Sequence, residues 1–162
     1  MPLVTVTRRY RFSASHRLHS PVLSEELNRQ VYGKCNNPYG HGHNYTLEVC
    51  MSGRLDAATG RLVPLGQLDA LVETTILRDV KWRNLNVDVP EFAAVVPTSE
   101  NLARVIARRL ADAWHVAFPT GAVTFERVRI HETKNNFFEA KNPRRENRHL
   151  PRVGVSELQE IR

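Results

Sequence analysis

The chain has 162 residues, 41% of them hydrophobic, and this length and composition predict one domain with a substantial buried core. No apolar run approaches the roughly eighteen residues of a membrane span, and the N-terminal residues are typical of a strand rather than a signal peptide. The formal net charge of +6 permits a nucleic acid, an anionic small substrate or a solvated tail, but no nucleic-acid motif supports the first.

Two strands are predicted in the first third of the chain. Alternating apolar residues predict one over residues 3–15, and a second runs from Asn44 to about Gly53. The long connection between them holds a short helix at 24–30 and, after it, a dense set of turn formers. A hairpin-like turn at 56–60 then leads into another short strand.

Two helices and two further strands complete the predicted fold. Apolar residues recur at helical spacing from Leu65 to Ile76, and a second helix begins where Thr98 can act as its N-cap. Strand-like runs follow at 122–132 and 136–140. The order β-β-α-α-β-β predicts an α+β fold, an antiparallel sheet with both helices on one face. We expect one domain over 1–140 and a separable basic tail over 141–162.

Three histidines indicate a metal site. His41 and His43 share one face of a strand because side chains alternate with period two, and His16 ends the face of the first strand. Three imidazole nitrogens suit zinc and leave a fourth position open for water or substrate. A histidine by itself is more often a surface or capping residue, so the spacing alone leaves both interpretations open.

Cys35 and Glu132 are further candidates. Because Cys35 lies in a polar loop near the histidines, it is either an inert thiol or a proton-transfer group. Glu132 continues an apolar strand face, so it is either exposed at the strand exit or a buried carboxylate that awaits a partner such as a guanidine-like ligand edge. The two cysteines, Cys35 and Cys50, give no disulfide framework and predict a cytoplasmic location.

Several motifs closely resemble the 6-pyruvoyl tetrahydropterin synthase family. The resemblance covers roughly residues 4–140, and its most specific part is GKCNNPYGHGHNY at 33–45. The other matching stretches are FSASHRL at 12–18, LSEELN at 23–28, TSEN at 98–101 and ETKNN at 132–136. The related 6-carboxy-tetrahydropterin synthases usually have a shorter loop between the cysteine and the first histidine, so the chain looks more like the pyruvoyl enzyme.

The resemblance implies a tunnelling fold, in which a four-stranded antiparallel sheet with two helices joins its neighbours into a trimeric barrel. Two trimers stack into a homohexamer with sites between subunits. The resemblance also implies a role for each candidate residue. Zinc would be bound by His16, His41 and His43; Glu132 would anchor the pterin; Thr98 and Ser99 would line its pocket; and Cys35 would transfer protons.

The activity that the resemblance implies is that of a zinc-dependent lyase in tetrahydrobiopterin biosynthesis. The substrate would be 7,8-dihydroneopterin triphosphate or a related reduced pterin, a small molecule, with no nucleic-acid or membrane partner. Zinc would polarise the side-chain hydroxyls, and a base would remove an adjacent proton before triphosphate leaves. A 6-carboxy-tetrahydropterin synthase-like enzyme and a non-catalytic zinc and pterin-binding protein are the alternatives.

One position departs from the family pattern. Where the family has an Asp-His dyad that completes a Cys-Asp-His relay, this chain has Lys81 and Trp82. Lys81 could act as a neutral base after desolvation, or stay charged and hold a phosphate or lower the pKa of Cys35. Decay of the dyad after loss of activity is the third interpretation. For either role of Lys81 we expect slow or redirected turnover of the usual substrate.

Overall fold

The computed structural model describes residues 3–146 of the chain. Four strands form one antiparallel sheet in the order β1-β2-β3-β4. The strands are β1 (Val4–His16), β2 (His41–Gly53), β3 (Val123–His131) and β4 (Phe137–Lys141). The helices are α1 (Glu25–Tyr32), α2 (Leu65–Val72), α3 (Arg78–Val80), α4 (Leu85–Asp88), α5 (Ser99–Ala117) and α6 (Pro143–Glu146).

The register of β1 and β2 places the C-terminal end of β1 beside the N-terminal end of β2. The two strands pair along their whole lengths, from Val4 opposite Gly53 to His16 opposite His41. Gly40 turns the chain into β2 with a φ of 70°, and a Cβ atom there would lie 2.9 Å from the His16 carbonyl oxygen. A glycine is therefore needed directly before the first histidine of β2.

The core lies between one face of the sheet and the helices. The main helix, α5, buries the apolar stripe Leu102, Ile106 and Leu110 against the sheet. Each such side chain contributes about 1.5–3 kcal/mol when fully buried. Trp114 closes one end of the core, where its indole Nε1 donates to the Val123 carbonyl at 2.9 Å. The predicted antiparallel sheet with helices is confirmed.

Two local features differ from the sequence-based expectation. Within residues 3–146, no strand lies between the turn at 56–60 and α2; the chain instead runs through Pro64 directly into α2. The first long helix also contains a π-helical segment, Glu73–Leu77, between α2 and α3. Hydrogen-bond geometry of this kind depends on tertiary packing, and helical spacing of apolar residues does not reveal it.

The segment after Ala140 begins in contact with the domain. Lys141 ends β4, and the Asn142 side chain donates to the Phe125 carbonyl at 2.9 Å. Arg144 reaches Asp112 on α5 at 3.0 Å. The more distal bases of the predicted tail, Arg148 and Arg152, lie outside the described residues. Among the residues described, no helix combines the length and apolar character needed to cross a membrane.

Candidate metal centre and active site

Three histidine side chains converge where β1 and β2 end. Each of His16, His41 and His43 offers one ring nitrogen, and the three nitrogens lie within 4.8 Å of one another. Alternation along the strands directs His41 and His43 to the same face, and pairing of His16 with His41 supplies the third ring. The Nε2 atoms of His16 and His41 are 3.1 Å apart. The predicted ligand set is therefore assembled within one chain.

The protonation of these rings suits metal binding. The Nδ1 atom of His16 donates to the Pro97 carbonyl at 2.7 Å, which leaves its Nε2 lone pair facing His41. Burial lowers the pKa of His16 and of His41, so both rings favour the neutral form that ligates metals. Within residues 3–146, His41 Nδ1 and His43 Nε2 are buried without a hydrogen-bond partner. A ring set of this kind fits a zinc ion.

Glu132 follows the last residue of β3 and enters the same pocket. Its Oε1 atom accepts a hydrogen bond from the Ser99 hydroxyl at 2.8 Å and lies 3.6 Å from His43 Nε2. The Glu132 side chain is only 20% exposed. Of the two interpretations of this carboxylate, the structure matches the partly buried one, with one face hydrogen-bonded and little access to water.

The N-terminus of α5 joins the two halves of the pocket. Pro97 orients His16, and two residues later Ser99 holds Glu132. Between them Thr98 is the N-cap, and its side chain accepts a hydrogen bond from the Asn101 backbone at 3.3 Å. The positive end of the helix dipole therefore lies beside the carboxylate. The predicted cap is confirmed, whereas a pterin contact of Thr98 stays a prediction.

Cys35 lies in a short 3₁₀ turn, Gly33–Asn36, and is half-buried. Burial raises the pKa of its thiol, and the negative charge of Glu132 raises it further. Both effects favour the protonated thiol over the thiolate. The influence of Glu132 places Cys35 within electrostatic range of the same pocket, so its role in proton transfer stays a prediction.

Lys81 and Trp82 are exposed to solvent, unlike the residues of the pocket. Both are exposed, Trp82 at 75%, and among residues 3–146 no hydrogen bond or ion pair joins Lys81 to the histidines or Glu132. Trp82 has a φ of 61°, a region that bulky residues rarely occupy, and its backbone N–H donates to the Ser13 carbonyl at 2.7 Å. The Trp82 ring borders an open groove of about 640 Å³ that also reaches His43.

Comparison with known proteins decides the family. Residues 5–143 match the model of the family described as 6-pyruvoyl tetrahydropterin synthase. The chain belongs to this family. It is 49% identical to a 6-pyruvoyl tetrahydrobiopterin synthase of Poecilia reticulata over 81% of this chain and 85% of that protein. The corresponding protein of Homo sapiens is 45% identical over 81% and 86%.

Solved structures agree with the 6-pyruvoyl tetrahydropterin synthase family and its fold. The structure of Caenorhabditis elegans 6-pyruvoyl tetrahydropterin synthase aligns with a TM-score of 0.79 at 39% identity, covering 87% of this chain and 96% of that one. A Plasmodium vivax 6-pyruvoyl tetrahydropterin synthase shares the fold at 12% identity, with a TM-score of 0.62 over 87% of this chain and 98% of that one. The predicted family and the tunnelling fold of the chain are confirmed.

Tyr45 is a residue of the pocket to which the sequence analysis assigned no role. It is 1% exposed, and its ring lies against His43 with the two centroids 5.5 Å apart. Burial and the charge of Glu132 raise the pKa of Tyr45, while the nearby Ser99 hydroxyl lowers it. Its position two residues after His43, on the same strand face, is the signal that could have identified it. In this family member Tyr45 therefore faces both the histidines and the carboxylate.

Proposed function

We propose that the chain is a zinc-dependent carbon–oxygen lyase acting on 7,8-dihydroneopterin triphosphate or a related reduced pterin. One observation carries the proposal. Three imidazole nitrogens converge within 4.8 Å, and a partly buried carboxylate lies 3.6 Å from one of the rings. This is a metal centre directly beside a group that can recognise a guanidine-like edge. Membership of the 6-pyruvoyl tetrahydropterin synthase family supplies the reaction type.

The histidines would hold zinc at the open end of the sheet. When bound there, zinc polarises the hydroxyls of the substrate side chain, which acidifies the adjacent C–H bonds. The chain contributes the fixed orientation of His16, whose hydrogen bond to Pro97 selects the ring nitrogen that faces the centre. Burial also lowers the pKa of His16 and of His41, which favours the neutral form of these two rings.

Glu132, Ser99 and Thr98 would bind the pterin ring. The two oxygens of the Glu132 carboxylate can each accept one N–H group from the pyrimidine edge, while the Ser99 hydroxyl, which also donates to Oε1, keeps the carboxylate in place. The α5 N-terminus places the positive end of a helix dipole beside this carboxylate. A charged acceptor in a poorly solvated pocket gives both affinity and discrimination for this edge.

Cys35 would move protons at the substrate side chain, and Lys81 would assist from a neighbouring copy. Lys81 is exposed, and among residues 3–146 no hydrogen bond or ion pair joins it to the histidines or Glu132, which is why we propose that a second subunit brings it to the site. We favour a charged Lys81 that holds a phosphate or lowers the pKa of Cys35, over a neutral lysine base. The proposed assembly is a homohexamer, a dimer of trimers, and the proposed location is the cytoplasm.

The test is to incubate the zinc-loaded protein with 7,8-dihydroneopterin triphosphate and identify products by mass. Formation of 6-pyruvoyl tetrahydropterin with release of triphosphate supports the proposal. Formation of 6-carboxy-tetrahydropterin would instead assign the chain to the carboxy-forming route. The zinc-free protein is the matched control and is expected to form neither product.

A second candidate is a non-catalytic zinc and pterin-binding protein. Two observations favour it: burial raises the pKa of the Cys35 thiol, and among residues 3–146 no hydrogen bond or ion pair joins Lys81 to the histidines or Glu132. In the same incubation this candidate predicts bound substrate, recoverable unchanged after denaturation, and no product of either mass. Unbound, unchanged substrate would contradict both candidates.

A further inference from the structure

Tyr45 has a buried hydroxyl with no assigned partner. The ring stacks on Phe12 with a centroid distance of 5.2 Å and is tilted against His43. Its hydroxyl is buried, and within residues 3–146 no atom makes a hydrogen bond with it. Leaving a polar group buried and unpaired is unfavourable, so such a hydroxyl in a well-packed strand requires a reason.

Tyr10 shows that a tyrosine hydroxyl on the same face of the sheet can have a hydrogen-bond partner. Tyr10 lies on β1 with the parity of Phe12 and His16, and its hydroxyl donates to Asp69 Oδ1 at 2.8 Å. Asp69 is held in turn by two hydrogen bonds from the Arg8 guanidinium. The two tyrosines thus share a face of the sheet but differ in two respects: Tyr10 is only partly buried and is paired, whereas Tyr45 is fully buried and its hydroxyl is unpaired within residues 3–146.

The polar groups that face Tyr45 are those of the carboxylate pocket. The Ser99 hydroxyl uses its single proton on Glu132 Oε1 at 2.8 Å, so its oxygen lone pairs stay available to accept. Tyr45 and Glu132 are the residues directly beyond the pair Thr46 and His131, with which the ladder between β2 and β3 ends, and Ser99 is itself buried. A hydrogen bond from the Tyr45 hydroxyl to Ser99 would complete a chain of donors from Tyr45 through Ser99 to Glu132.

We propose that Tyr45 is a positioning residue of the pterin site, whose hydroxyl donates to Ser99 when a ligand is bound and so fixes the Glu132 carboxylate towards the ligand's N–H edge. This inference rests on the proposed pterin-binding function. Within residues 3–146 the Tyr45 hydroxyl has no hydrogen-bond partner, so it stays available as a donor. Hydrogen bonds that form a chain ending on a charged acceptor strengthen one another. The Tyr45 hydroxyl therefore affects the affinity of Glu132 for the ligand through Ser99.

The test uses Tyr45→Phe with Tyr10→Phe as its matched control, both as zinc-loaded full chains. Neopterin affinity is measured by titration, free energy of unfolding by urea, and zinc content by mass spectrometry. For Tyr45→Phe we expect about tenfold weaker neopterin binding with unchanged zinc and unchanged or higher stability, because no hydrogen bond of the ligand-free chain is lost. Tyr10→Phe should show the reverse: lower stability and unchanged affinity.

A double-mutant cycle separates positioning from packing. In the Glu132→Gln background, Tyr45→Phe should weaken neopterin binding no further, since the effect acts through the carboxylate. Unchanged affinity in Tyr45→Phe alone would overturn the inference while leaving the proposed function in place. A parallel loss of stability and affinity, or an equal loss in both backgrounds, would also overturn it. If the wild type does not bind neopterin, the proposed function fails and this inference fails with it.

Discussion

The histidine pocket and the segment that follows Val80 contribute to one proposed reaction but are built in opposite ways. In the pocket, His16 is 1% exposed, and hydrogen bonds fix His16 and Glu132 to the same turn, the N-terminus of α5. In the segment, Trp82 is 75% exposed and holds an unfavourable backbone conformation. The difference is that the candidate metal ligands are assembled within one chain, whereas among residues 3–146 no hydrogen bond or ion pair joins Lys81 to them.

The largest expected effect is loss of the metal. The double substitution His41→Ala with His43→Ala removes two of three converging nitrogens, so stoichiometric zinc should be lost from the purified protein. Elemental analysis after gel filtration measures it. His115→Ala, an exposed histidine on α5, is the control and should keep its zinc. Zinc that persists without His41 and His43 would show that the metal centre lies elsewhere.

The next effect is on pterin recognition. Glu132→Gln keeps the shape and the Ser99 contact but removes the charge that accepts the ligand's N–H groups, so neopterin affinity should fall by about 1.5–3 kcal/mol. Fluorescence titration of the zinc-loaded variant measures it. Glu100→Gln, at an exposed position one residue after Ser99, should bind as the wild type does. Equal affinities for Glu132→Gln and wild type would remove the carboxylate from the proposed site.

The smallest effect concerns the strained backbone of the exposed segment. At a φ of 61° glycine is unstrained, so Trp82→Gly should be more stable than Trp82→Ala by about 1 kcal/mol. Urea unfolding of the two variants compares them directly, and neither change should alter zinc content. If the alanine variant were the more stable, the left-handed conformation at this position would not be a constraint on the chain.

The pocket could be predicted from sequence because it follows from strand periodicity. Alternation placed His41 and His43 on one face, and an apolar run of the same parity led to His16; the family motifs then connected these residues to Glu132. Other features could not be predicted, because they arise from tertiary contacts. The φ of Trp82 accompanies a backbone hydrogen bond to Ser13, and the unpaired hydroxyl of Tyr45 depends on how α5 packs against the sheet.

The surroundings of the segment after Val80 are the feature that could least be predicted from the sequence. Register with the family motifs locates Lys81 and Trp82 but gives neither their exposure nor their distance from the pocket. The structure supplies the exposure, and it shows that the Trp82 ring borders a groove shared with His43. What Lys81 contacts in an assembly depends on a second chain, so its role stays a prediction.

The most direct test of the central claim is turnover of 7,8-dihydroneopterin triphosphate by the wild type, Lys81→Ala and the double variant Lys81→Asp with Trp82→His, each followed by product mass. We expect all three proteins to bind neopterin tightly. The wild type should show slow or redirected turnover, and the double variant should form 6-pyruvoyl tetrahydropterin faster. Fast pyruvoyl-product formation by the wild type, unaffected by Lys81→Ala and not increased in the double variant, would contradict it.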